Sequence, residues 1–164
     1  MNLYILRHGI ATEPDARAFA KDADRPLTSE GKRKLGQVAG AMEALELSFD
    51  LILSSPYLRA RQTAEIIAEA RKARKRLELS DSLTPGGSPK KLVELLNHLQ
   101  PSPGSVLLVG HEPYLSGLIS LLVSGDAGFA APWPGGVALA AVCPAPRICC
   151  SRAARLAAAC SMAC

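Results

Sequence analysis

Short apolar runs alternate with segments of helical periodicity along most of this chain, and that alternation constrains the fold more than any other feature. The runs are Asn2 to Leu6, Leu51 to Leu53, Leu77 to Leu79 and Ser105 to Val109. Between them, apolar residues recur at spacings of three and four, the repeat of one helix face. The first such segment follows Arg25 to Gly31 and aligns Leu35, Val38, Ala39, Met42 and Leu45, with Thr28 or Ser29 placed to cap its free N–H groups. The second begins near Pro56, a residue suited to a first helical turn, and turns Ala60, Thr63, Ala64 and Ile67 inward. Ser88-Pro89 opens a third with Leu92, Leu95, Leu96 and Leu99, and Pro113 opens a fourth with Leu115, Leu118, Ile119 and Leu122. Strands separated by helices of this length predict an α/β fold, a three-layer αβα sandwich around a mostly parallel central sheet. Val137 to Val142 would add a last strand.

At 164 residues the chain has room for one well-packed domain, expected over residues 1–142, with an atypical tail over 143–164. No apolar stretch approaches the roughly 20 residues of a membrane span, and the apolar run from Leu3 is too short and too soon interrupted by Arg7 for a secretory signal. A cytoplasmic protein with no membrane partner is the expectation. The net charge of +4 is mild and gives no support to a nucleic-acid partner. The dense run Arg71-Lys72-Ala73-Arg74-Lys75-Arg76 reads as a solvated helix end, where cations meet the negative end of the helix dipole, or as a docking patch for an acidic partner. No aromatic residue interleaves it. All five cysteines lie from Cys143 onward, so a disulfide framework spread through the fold is excluded. A zinc site from Cys149, Cys150, Cys160 and Cys164 would have to use adjacent cysteines, which are poorly spaced ligands.

Ligands of open α/β sheets bind at the carboxyl ends of the strands. Arg7-His8-Gly9 ends the first apolar run, Arg59 falls in the first turn of the helix after Leu51 to Leu53, and His111 ends the Ser105 run. Residues about 50 positions apart are thus expected on one rim. Two guanidiniums there would grip phosphate oxygens and neutralise charge developing in a transition state. Gly9 would let the backbone approach, the helix after Pro56 would add N–H groups, and a neutral imidazole is a competent nucleophile toward phosphorus. Neither histidine has a carboxylate cluster or well-spaced cysteine set near it in sequence, so no metal or other cofactor is expected. Taken singly, each of these residues has an ordinary explanation: an Arg-His-Gly triplet arises by chance, His111 fits a strand end, and Arg59 fits a helix surface. Their joint placement is what argues for a site. His98, on the polar side of its helix, is expected to be ordinary.

The same motifs resemble the histidine phosphatase (phosphoglycerate-mutase-like) superfamily. The resemblance lies in Leu6-Arg7-His8-Gly9, in the run from Ser54-Ser55-Pro56 through Arg59 to Thr63-Ala64, and in Val109-Gly110-His111-Glu112-Pro113, and it covers roughly residues 1 to 128. Arg25-Pro26-Leu27-Thr28-Ser29-Glu30-Gly31 and Leu83-Thr84-Pro85-Gly86-Gly87 are most similar to the bacterial phosphohistidine phosphatases of the SixA type. The resemblance implies a phosphatase in which His8 becomes phosphorylated while Arg7, Arg59 and His111 form the phosphate pocket. Its substrate would be phosphohistidine on a signalling protein such as a phosphotransfer domain, with a small phosphate ester or a non-catalytic phosphate-binding module as the alternatives. Retention of His8 speaks against a pure binder. Two departures separate the chain from phosphoglycerate mutases: Pro14 stands where those carry an asparagine, and no counterpart of their inserted catalytic glutamate is present. Glu112 is the nearest candidate acid, or else a structural residue at a helix entrance.

From Ala130 alanine and cysteine dominate, and no acidic residue follows Asp126. Residues 153–164 are expected to form a weak helix on their alanine content, and no catalytic role is expected of them.

Overall fold

The computed structural model describes residues 1–15, 19–125, 139–143 and 155–160. Six strands form one sheet: β1 (Asn2–Arg7), β2 (Leu51–Ser54), β3 (Leu77–Leu79), β4 (Ser105–Gly110), β5 (Leu139–Cys143) and β6 (Arg155–Cys160). Their spatial order is β3-β2-β4-β1-β5-β6. The first four are mutually parallel, while β5 runs antiparallel to β1 and β6 antiparallel to β5. Among the described residues four α-helices pack with them: α1 (Ser29–Ala44), α2 (Leu58–Ala70), α3 (Pro89–His98) and α4 (Tyr114–Ser124).

Alternation along the strands sorts the side chains into two cores. Leu3, Ile5, Leu51, Leu53, Val106 and Leu108 face Leu92, Leu96, Leu115 and Leu118 of α3 and α4. Leu6, Ile52, Leu107 and Val109 face Ala39, Met42, Ala60, Ala64 and Ile67 of α1 and α2. A sheet buried on both faces needs strands without a polar side, which is why the Ser105 run is continuously apolar after its first residue. The three-layer αβα arrangement with a mostly parallel sheet is the one expected.

Three details differ from the sequence-based expectation. Leu45 is exposed, because α1 ends at Ala44 and Leu45 falls at its C-cap. On α3, Val93 is buried and Leu95 is partly exposed, since the buried stripe runs through Leu92, Val93 and Leu96. The expected helix over residues 153–164 is instead strand β6 over Arg155–Cys160. Hydrogen bonding to β5 overrides the helix preference of alanine, which is a weak prior against a waiting strand partner. Val137 lies outside the described residues, as do Cys149, Cys150 and Cys164 of the weighed zinc set.

The basic run after α2 divides by role. Arg71 donates through Nε and Nη2 to the Leu47 carbonyl at 3.0 and 2.7 Å, and Arg76 donates to the Phe49 carbonyl at 2.7 Å. Two of its cations therefore tie α2 to the segment entering β2, and Arg74 pairs with Glu69 at 3.0 Å. The run sits at the amino edge of the sheet, opposite the ends of β1, β2 and β4.

Candidate active site

The carboxyl ends of three adjacent strands, β2, β4 and β1, bring the expected residues together. Pairing continues past the strands: the His8 N–H donates to the Gly110 carbonyl at 3.1 Å and the Ser55 N–H to the Val109 carbonyl at 3.0 Å. Residues 8, 55 and 111 consequently leave the sheet side by side. The His8 and His111 rings lie 5.0 Å apart between centroids, and Arg59 Nε donates to His8 Nε2 at 3.3 Å. Arg7 ends β1 in register with Gly110, and its charge acts on both imidazoles.

His8 is held in one tautomer. Its Nδ1 lies 2.7 Å from the Gly9 carbonyl, which can only accept, so Nδ1 carries the proton and Nε2 the lone pair. Burial pushes the imidazole down to about 4; the Gly9 hydrogen bond opposes this, and the charges of Arg59, Arg7 and Arg25 add to it. His111 is buried and lies lower still, at about 3, through burial first and then His8, Arg59 and Arg7, with Asp22 acting the other way. Both rings are neutral at pH 7. His111 Nε2 lies 2.9 Å from Ser55 Oγ, while its Nδ1 is buried with no partner among the described residues.

Local packing fixes the loop that carries His8. Gly9 donates its N–H to Thr63 Oγ1 at 3.1 Å, and Thr63 Oγ1 donates to the Arg59 carbonyl at 2.7 Å. One buried hydroxyl thus joins the first loop to the helix that carries Arg59. A side chain at Gly9 would meet Leu35 Cδ1 at 2.8 Å, so glycine here lets α1 pack against the loop, and its N–H is already engaged. Gly31 does the same from the helix side, since a Cβ there would collide with the Ile10 backbone. Thr28 caps α1 by accepting from the Gly31 N–H at 2.9 Å, and its own N–H donates to the Ile10 carbonyl at 2.9 Å.

Arg59 is only 6% exposed. A buried guanidinium requires partners, and Asp22, on a short 3-10 turn over Asp22–Asp24, supplies two. Nη1 donates to the Asp22 carbonyl at 2.7 Å and Nη2 to its Oδ2 at 2.8 Å. Arg25 holds Oδ1 of the same carboxylate at 2.6 Å and donates from Nε to the Thr12 carbonyl at 2.8 Å. Burial raises the Asp22 carboxyl, but the hydrogen bonds and charges of Arg25 and Arg59 outweigh that and hold it below its usual range. The Arg59 guanidinium also lies 5.2 Å from the Tyr57 ring centroid, and that ring meets His111 edge-on at 5.1 Å.

Three guanidiniums, one carboxylate and two neutral imidazoles make a cationic rim suited to a multiply charged oxyanion. Glu112 is engaged elsewhere: its Oε2 accepts from Ser116 on the first turn of α4 at 2.6 Å, and its Oε1 is buried without a partner among the described residues. His98 is exposed and its Nδ1 lies 2.7 Å from the Glu94 carbonyl, away from the site. Among the described residues, no group of three or more His, Cys, Asp or Glu is arranged to hold a metal ion, and no helix is long and apolar enough to cross a membrane. Thr63 and Arg25 stand inside quoted motifs whose spacing gave them no role. Asp22 had no sequence signal beyond its place three residues before Arg25.

Comparison with known proteins places these residues in context. Residues 3–84 match the model of the histidine phosphatase superfamily, branch 1. An uncharacterised protein of Picosynechococcus is 40% identical over 78% of this chain and 76% of its own length. The phosphohistidine phosphatase SixA of Escherichia coli is 31% identical over 77% of this chain and 76% of its own. A solved structure of protein histidine phosphatase SixA, complexed with tungstate, superposes with a TM-score of 0.83 at 26% identity, covering 97% of this chain and 96% of that one.

Proposed function

Since the chain belongs to the histidine phosphatase superfamily, we propose that it hydrolyses a phosphoryl group through a covalent intermediate on His8, with phosphohistidine of a signalling protein as substrate. The observation that carries this reading is the state of His8. Its Nδ1 proton is spent on the Gly9 carbonyl, and its Nε2 lone pair faces the Arg59 Nε–H.

In the first step the Nε2 lone pair gives up the Arg59 Nε–H and attacks phosphorus, the freed Nε–H turns to a phosphoryl oxygen, the bond from phosphorus to the leaving nitrogen breaks, and that nitrogen takes up a proton. The Gly9 carbonyl stabilises the positive charge that His8 gains through its Nδ1–H. Arg7 and Arg59 neutralise the phosphoryl oxygens as charge gathers on them, and His111 completes the pocket beside His8. Water then attacks the phosphorylated His8, releasing phosphate and restoring the imidazole. None of these steps calls for a metal or other cofactor. The SixA structure named above binds tungstate, an oxyanion of the kind this rim would accept.

Preference for phosphohistidine over an ester follows from the acids at hand. Asp22 is held ionised by two arginines, and Glu112 is tied to Ser116. An alkoxide leaving group needs a positioned acid, whereas imidazole leaves readily and takes its proton from solvent. Parallel assays on a phosphohistidine protein and a panel of phosphate esters test the assignment. Faster turnover of sugar or glycerate phosphates would move the protein to the small-molecule branch. Binding without turnover would make it a phosphate-binding module.

A further inference from the structure

We infer that Asp22 is a positioning residue that aims the Arg59 guanidinium at the nucleophile, a role that rests on the reading of His8 and Arg59 given above. Asp22 presents two acceptors to one end of that guanidinium, its own carbonyl to Nη1 and its Oδ2 to Nη2, at 2.7 and 2.8 Å. Two fixed points at the terminal edge stop the planar group from rotating about its long axis. The adjacent edge is thereby set so that Nε–H meets His8 Nε2 at 3.3 Å. Three of the N–H groups of Arg59 are spent in this way, and the other two have no partner among the described residues.

The aim of Asp22 is itself held. Arg25 grips its second carboxylate oxygen at 2.6 Å while donating to the Thr12 carbonyl at 2.8 Å, so a relay of charge-assisted bonds runs from Thr12 through Arg25 and Asp22 to Arg59. Leu27, just beyond Arg25, donates its N–H to Gln62 Oε1 at 2.8 Å, which ties this loop to the helix bearing Arg59. The Asp22 side chain is 53% exposed, so replacing it leaves no cavity in the core. A loss of rate on its removal then reports the guanidinium rather than the fold. The opposite role is a displaceable plug, in which the carboxylate competes with the phosphoryl group for Arg59. The Asp22 backbone carbonyl speaks against it, because a side-chain rotation cannot withdraw that acceptor.

The test is a double-mutant cycle of Asp22→Asn with Arg59→Ala, together with the Arg59 Nε–H resonance by NMR and inorganic phosphate binding by calorimetry. Asp22→Asn in the wild-type background is expected to lower kcat by on the order of 10- to 100-fold, the scale of a misplaced catalytic group, with a smaller change in KM. In the Arg59→Ala background it is expected to cost nothing further. The Nε–H signal should broaden or vanish in Asp22→Asn, a readout that stands even if the phosphatase reading fails for want of any His8-dependent turnover. Arg25→Lys, which weakens the grip on Asp22 without removing the carboxylate, should give a loss in the same direction but smaller. An equal loss in both backgrounds, or a faster enzyme with tighter phosphate binding after Asp22→Asn, would overturn the assignment.

Discussion

The Nε–H of Arg59 donates to Nε2 of His8 across 3.3 Å, from residues 51 positions apart in the chain. The contact depends on β1 and β2, separated in the sheet by β4, ending at the same edge, and on α2 starting there. It places a fixed positive charge where the nucleophile meets an incoming phosphoryl group. Burial first, and then the charges of Arg59, Arg7 and Arg25, keep His8 a neutral base at pH 7.

Removing Arg59 should therefore slow the chemical step more than it harms the fold. Arg59→Ala is expected to cost on the order of 10²–10³ in kcat, the range seen on losing a stabiliser of transition-state charge. Arg59→Lys should recover little, since an ammonium cannot hold Asp22 with a fork and address His8 at once. Steady-state kinetics on both variants check this, with circular dichroism to show that the fold is intact.

Acidity should act through His8 at an unusually low pH. With its pKa pushed down to about 4, the free-enzyme profile of kcat/KM should hold its nucleophile-dependent level to well below pH 6.5 and fall near pH 4. Stability should show the same groups with a definite sign. Both imidazoles bind protons less readily folded than unfolded, so the unfolded state gains as the pH drops below 6.5. Stability is fully present above that value and declines toward about 4 for His8 and about 3 for His111. Chemical denaturation at a series of pH values measures it; a flat profile from pH 7 to 4 would contradict the depressed values.

Thr63→Val should uncouple the His8 loop from α2. The substitution keeps the shape of the side chain but leaves the Gly9 N–H without an acceptor in a buried setting. A loss of about 1–3 kcal/mol in unfolding free energy is expected from that orphaned donor, and activity should fall alongside it as the Gly9 carbonyl loses its fixed place.

Much of this was legible in the sequence because it rests on pattern and topology. Strand ends at Leu6 and Val109 follow from the apolar runs, one residue short of the observed Arg7 and Gly110, and the sheet rule alone gathers His8, Arg59 and His111 on one rim. The buried face of α2 was read correctly because Ala60, Thr63, Ala64 and Ile67 keep strict helical spacing. Asp22 was not legible, since its role comes from a loop folding back across 37 positions to Arg59, which no periodicity encodes. Thr63 looked like packing because its hydroxyl joins two backbone groups, the Arg59 carbonyl one turn back and the Gly9 N–H 54 positions away. The alanine-rich segment at Arg155–Cys160 was misread for a related reason: pairing with β5 decides its form, not its own composition.

Glu112→Gln separates the two roles open to that residue. As a structural partner of Ser116 it should change phosphohistidine and ester rates by the same factor, with a fall in stability. As a proton donor it should slow ester hydrolysis far more than phosphohistidine hydrolysis. Its tie to α4 leads us to expect equal factors, measured on both substrates with one preparation of the variant.

Trapping the intermediate tests the central claim most directly. Wild-type enzyme mixed with phosphohistidine protein and quenched in alkali should yield phosphate on His8, located by mass spectrometry and labile to acid as a phosphoramidate is. The His8→Ala variant should show neither the adduct nor turnover, while still binding inorganic phosphate through its arginines. Turnover at wild-type rate in His8→Ala, or a phosphoenzyme that carries its label on another residue, would contradict covalent catalysis by His8.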